Sequence, residues 1–213
     1  ARLAQGHTPS LADLTRLARP SGEIAAAFDL PWPWGGERFE LRTLKPLTWI
    51  IGPLGSGKTR LAIRLAESLP GASFLGLDRT VAELDAALEA DDAGPLVIAL
   101  VEQGLDQAAQ EALGARLRQP RARPVLAMTR STAILDLRAA GPDEAILYCP
   151  ANHSPPMLVA PYPGAPGYEA VASCLASPEV RGRTEGMIAV RPSAWRPARA
   201  SSTMRTSPIP ARS

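Results

Sequence analysis

The chain has 213 residues, 46% of them hydrophobic, which suits one domain with tails and allows a sizeable core. Its formal charge of +2 specifies no partner, and a cluster of arginines without acids in Arg191–Ser213 leaves the rest of the chain slightly acidic, with no global basic character. The longest apolar run, Leu96–Val101, is far too short to span a membrane, and the N-terminus carries no signal-peptide pattern, so the expected location is cytoplasmic.

Residues 1–36 read as a lead-in. Leu11, Leu14, Leu17 and Ala18 share a helical face between Ser10 as N-cap and Pro20 as stop, and Pro31–Gly36 (PWPWGG) is rich in turn formers. Residues 37–150 read as the main domain. Glu37–Leu44 alternates, with Phe39 and Leu41 on one face, and Leu47–Ile51 (LTWII) is an apolar, partly β-branched run; both predict strands. The second runs into GPLGSGKT, Gly52–Thr59. Arg60–Leu69 then carries Leu61, Leu65 and Leu69 at helical spacing and stops at Pro70-Gly71. Ser73–Leu77 is a short strand with Asp78 at its end. Thr80-x-x-Glu83 is a capping box that opens a helix through Ala90. Leu96–Val101 (LVIALV) is a strand apolar on both faces, as parallel sheets require. Asp106 starts a helix to about Arg118, and Gln119–Pro124 is a loop. Val125–Thr129 is a strand, Thr132–Leu137 a short helix and Glu144–Cys149 a last strand. Residues 151–190 form a Pro-rich extension with one helix at Tyr168–Ala176, and 191–213 read as a disordered tail with almost nothing to bury. That tail could touch nucleic acid through its arginines, but a solvated tail is the preferred reading. Strands alternating with helices predict an α/β fold: a mostly parallel sheet in three layers. Cys149 and Cys174 form no C-x-x-C and read as reduced packing residues. Cys149 and His153, four apart, are too few for a metal site.

Gly52–Thr59 fits the phosphate-binding pattern G-x-x-x-x-G-K-[ST], and it sits between a strand and a helix as that pattern requires. Gly52, Gly55 and Gly57, with Pro53, Leu54 and Ser56 between them, let backbone N–H groups turn inward as an anion nest. Lys58 would reach the outer phosphates of a nucleotide, the Thr59 hydroxyl would bind Mg²⁺, and Arg60 follows on the first helical turn. Lysine occurs only at positions 45 and 58, so a chain that otherwise uses arginine places a compact point charge here. The expected ligands are ATP and Mg²⁺.

RFELRTLKPLTWIIGPLGSGKT resembles the opening of ATP-binding-cassette-type ATPases, including the RecF/SMC-like AAA group. LVIALVEQGLDQAAQEALGARL is similar to their Walker B strand and D-loop, with Leu105-Asp106 as the D-loop pair. VLAMTRSTAILDLRAAGPDEAILYC resembles their switch-histidine strand and the strand after it. The resemblance spans about Arg38–Cys149 and implies a P-loop NTPase fold, ATP binding, and a nucleotide-dependent homodimer or partner subunit. The chain also departs from the pattern. The Walker B Asp falls on Ala99, the catalytic Glu on Leu100, the switch His on Arg130, and the usual loop Asn on Leu54. No LSGGQ-like signature is present, and the segment from Thr59 to Asp106 is too short for the family's helical subdomain. Glu102 is the nearest substitute acid, against a reading as a solvated turn residue. Asp78 would serve if its strand neighbours the loop-bearing strand. Asp106 would be either an N-cap or a cross-subunit contact. Arg130 would contact the γ-phosphate. Trp32 or Trp34 would stack on the base, as an aromatic about that far upstream does in the family, against a reading as core lids.

Three functions are open: an ATPase of this type with impaired hydrolysis, a P-loop small-molecule kinase using Asp78 and the clustered Arg116, Arg118, Arg121 and Arg123, or a nucleotide-binding module without turnover. The absence of an [NT]KxD motif favours adenine.

Overall fold

The computed structural model describes residues 25–90, 92 and 94–180. At its centre is β3, Leu47–Ile51, buried at all five positions. A strand covered on both faces belongs inside a parallel sheet. The sheet has six strands in the order β4-β5-β6-β3-β7-β8. Here β4 is Ser73–Leu75, β5 Leu96–Ile98, β6 Val125–Met128, β7 Glu144–Tyr148 and β8 Met157–Val159. The first five of these are parallel, and β8 runs antiparallel to β7.

Side chains alternate between the two faces because strand periodicity is two. Ile50, Val97, Leu126 and Leu147 face one core. It is closed by Leu61, Ala62 and Leu65 of helix α1, Lys58–Ser68, and by an antiparallel hairpin of β1, Ala26–Asp29, and β2, Arg38–Leu41. Trp49, Ile98, Ala127 and Ile146 face the other core. It is closed by Leu84 of α2, Val81–Glu89, by Leu113 and Leu117 of α3, Gln107–Leu117, and by Val171 of α4, Tyr168–Ser173. The result is the expected α/β architecture with a mostly parallel sheet. No helix among the described residues is long and apolar enough to cross a membrane.

Local signals set the helix starts. The Thr80 Oγ1 accepts from Glu83 N at 3.2 Å, and the Glu83 carboxylate accepts from Thr80 N at 2.7 Å, completing the capping box. Asp106 caps α3 by accepting from Ala109 N at 2.8 Å.

Several elements depart from expectation. β1 lies inside the stretch read as a lead-in; Phe28 and Phe39 pack at 5.3 Å between ring centroids, so the strand is held by its partner. The Leu96–Val101 strand ends at Ile98, because Leu100 takes a left-handed φ of 36°. Thr132–Leu137 is a turn, not a helix. The Ile134 carbonyl accepts from Arg118 Nη1 at 3.2 Å instead of feeding a helical ladder, and α3 presses against the segment at Gly114. β8 emerges from the Pro-rich extension and pairs with β7, and Ser131 bridges Ala176, so these described parts of the extension join the sheet. The lead-in helix and the tail beyond Arg191 lie outside the described residues.

The four clustered arginines sit at the amino ends of the strands, opposite the Gly52–Thr59 loop. Arg116 pairs with Asp85 and Glu89, and Arg118 with Glu144 at 3.1 Å. Arg121 donates to Arg116 O, and Arg123 to Gly94 O at 2.9 Å and Ser73 Oγ at 2.8 Å. They tie the sheet's lower edge and do not form a lid.

Candidate functional site

Gly52–Thr59 leaves the carboxyl end of β3 and enters α1. Two of its glycines are required by close approach. A Cβ on Gly52 would lie 2.4 Å from the Cys149 carbonyl oxygen. Gly57 has a φ of 86°, and a Cβ there would lie 2.5 Å from the Trp34 ring and 2.9 Å from Pro33. A side chain at Gly57 therefore meets both backbone strain and a clash, each costing about 1–2 kcal/mol. Gly57→Ala is expected to lower the melting temperature by roughly 5–10 °C. Thermal unfolding followed by circular dichroism checks this, and an unchanged Tm would mean that the Trp34 ring yields freely.

No side chain caps α1, and its first turn holds no acid. Helices α2 and α3 both have side-chain caps. The orphan N–H groups and the positive end of the α1 dipole thus face the loop. Lys58, only 8% exposed, turns back over it, donating from Nζ to Pro53 O at 2.6 Å and to Ser56 Oγ at 3.5 Å. Burial holds its pKa below the ordinary lysine value; Cys149 opposes that shift and Arg130 adds to it. The neighbouring Cys149 thiol is pushed up to about 12 by burial, with Lys58 opposing, so it is an inert packing group at neutral pH.

Beside the loop opens a cavity of about 420 Å³, lined by Trp32, Pro33, Leu54, Gly55, Gly57, Lys58, Thr59, Arg60, Leu100, Met128 and Arg130. Among the described residues its lining holds three cationic side chains, Lys58, Arg60 and Arg130, and no carboxylate. Trp32 is 71% exposed at its rim, with the Arg60 guanidinium 4.8 Å from the ring centroid. Trp34 does not share this role. It is buried against Gly57 and donates from Nε1 to Ser154 O at 3.1 Å. Of the two stacking candidates only Trp32 is available.

The candidate acids fare differently. Glu102 is not a solvated turn residue. It is buried, its Oε1 accepts from Arg130 N at 3.0 Å, and it does not line the cavity. The chain bulges between Ala99 and Val101: Ala99 N bonds Leu75 O at 2.9 Å, and Val101 N bonds Met128 O at 2.9 Å. Leu100, at the bulge, faces the cavity instead. Asp78 is exposed beyond β4, at the sheet edge, with β5 and β6 between it and β3, so the neighbouring strand it needed is absent. Asp106 is exposed and serves as the α3 cap. Thr59 and Arg60 are exposed on the first turn of α1, and Arg130 stands half-buried across from them.

Two residues take roles that the sequence did not indicate. Arg79 reaches from the loop after β4 and donates to Ala99 O at 2.6 Å and Leu100 O at 2.8 Å. It holds the bulge in place. Burial lowers its pKa and Glu102 opposes that shift. His153, weighed only as a metal ligand, instead places its Nε2 3.2 Å from Gly55 O and steadies the loop tip. No trio of His, Cys, Asp or Glu suited to a metal occurs among the described residues. Neither residue carries a local signal, because each works through a contact distant in sequence.

No protein-family model matches the chain, and no curated protein matches it.

Proposed function

We propose that the chain binds ATP at the Gly52–Thr59 loop, in the manner of the P-loop NTPases of cassette and RecF-like type that it resembles, and turns it over slowly or not at all. The observation that carries this reading is the cavity itself: three cations and an uncapped helix start, with no acid among its lining residues. Such a surface suits a polyphosphate. The strand order supports it too. The chain leaves β3 for β4, β5 and β6 on one side and returns to β7 on the other. Ligands of open α/β sheets bind beyond the strand carboxyl ends at such a reversal. The exposed face of Trp32 would take the base.

For Mg²⁺ the residues supply one oxygen, the Thr59 hydroxyl, and no carboxylate. They do not form a protein metal site. The chain's own groups would bind the triphosphate, orient it along α1, and neutralise its charge. The lack of an acid favours binding with little turnover over an active ATPase. The kinase reading loses its support, since the four arginines it would use hold the opposite edge of the sheet and β5 and β6 separate Asp78 from β3.

Isothermal titration tests the proposal with ATP, inorganic tripolyphosphate and adenosine. ATP and tripolyphosphate are expected to bind, and adenosine not. Trp32→Ala should weaken ATP by about tenfold and leave tripolyphosphate unchanged, since stacking contributes about 1–3 kcal/mol per base. No heat from either phosphate ligand would end the nucleotide reading.

A further inference from the structure

We propose that this cavity takes its nucleotide in the metal-free form, with protein cations standing where a dication stands in other nucleotide sites. The inference rests on the nucleotide reading above and goes further, to the ionic state of the ligand. Mg²⁺ in such sites is held by one or two carboxylates together with the substrate's phosphates. Among the described residues, the carboxylates that the sequence offers for this role are committed or remote. Glu102 is buried, accepts from Arg130 N, and sits in the field of Arg79. Asp106 caps α3, and Asp78 is at the far edge of the sheet.

The position nearest the loop where an acid would be useful is filled by Leu100, in a left-handed conformation fixed by two hydrogen bonds from Arg79. An apolar side chain there gives a hydrated dication neither a ligand nor a hydrogen-bond acceptor for its waters.

Charge balance points the same way. Lys58, Arg60 and Arg130 already line the cavity, and Lys58 is desolvated within it. A metal-free triphosphate carries about two more negative charges than its Mg²⁺ complex. Against three cations the more negative ligand gains more, and a dication brought among them is repelled by each. The buried carboxylate of Glu102 acts on both Lys58 and Arg79, and one acid shared between them leaves the cations in excess.

Titration of the full chain with ATP, once in EDTA and once in excess Mg²⁺, tests this. Affinity in EDTA is expected to equal or exceed that in Mg²⁺, by up to about tenfold. Binding that is tenfold or more weaker in EDTA would overturn the inference while leaving the nucleotide reading in place. Failure to bind in both buffers, by a chain shown folded by circular dichroism, would remove the nucleotide reading and this one together. Leu100→Asp is the second arm. It should weaken metal-free ATP by about tenfold and make Mg²⁺ favourable. A variant that binds metal-free ATP as tightly as the natural chain would show that cavity charge does not select the ligand, and would overturn the inference as well.

Discussion

Lys58→Ala is expected to weaken ATP binding by roughly 100-fold, because two charge-assisted hydrogen bonds to the outer phosphates amount to about 3 kcal/mol. The same change should leave the ligand-free fold at least as stable. Lys58 is buried with only neutral oxygens, Pro53 O and Ser56 Oγ, as hydrogen-bond partners. Its cation is disfavoured in the fold, which is why its pKa lies below the ordinary value. The sign follows by linkage. A lysine with a lowered folded pKa costs stability at neutral pH, and that cost is relieved as pH rises through the folded pKa toward the unfolded one. Chemical denaturation of the natural chain should therefore show stability rising over that alkaline window, a rise that Lys58→Ala removes. Unchanged ATP affinity in the variant would remove the assignment of this loop to phosphate.

Turnover of the natural chain should fall roughly 10²-fold or more below that of an ordinary ATPase, since a positioned acid or base contributes about 10²–10⁴ in rate. No carboxylate lines the cavity among the described residues, so none of them is placed to orient the attacking water. Loss of a group used only in the transition state lowers turnover more than binding. Restoring an acid has one sensible position. Ala99 lies in the apolar core beneath α1, where a carboxylate would be buried without a partner. Leu100 faces the cavity, and Leu100→Glu should raise turnover at least about tenfold in phosphate-release assays with Mg²⁺. Brisk hydrolysis by the natural chain, stopped by Glu102→Gln, would make Glu102 the working acid and refute this account.

What could be read from the sequence was what neighbouring residues decide among themselves. The strand, glycine loop and helix around Lys58 are set within about twenty residues, and the Thr80–Glu83 box within four. What could not be read depends on distant partners. LVIALV is uniformly apolar, and nothing in it marks Leu100 as the residue that turns left-handed; Arg79, from another strand's loop, fixes that. Asp78 was a reasonable acid until the strand order put it at the edge. Trp32 and Trp34 are two apart in one turn, and only the packing of Gly57 separates the buried ring from the free one. β1, with the sequence AAFD, has too little intrinsic strand preference to stand out and is defined by pairing with β2. β8 is hidden among prolines, as edge strands can be.

The bond from Trp34 to Ser154 joins residues 120 apart, and the ring it anchors is the one that packs on Gly57. On a ribosome adding about 5–20 residues per second, Trp34 waits roughly 6–24 s for its acceptor to be made. From the synthesis of Ser68 onward the glycine loop and α1 are present, but the anchor of the ring against which they close is not. The site is therefore among the last parts of the domain to mature during synthesis, and a nascent chain stalled before Ser154 should carry the whole loop and still lack its grip on the ligand.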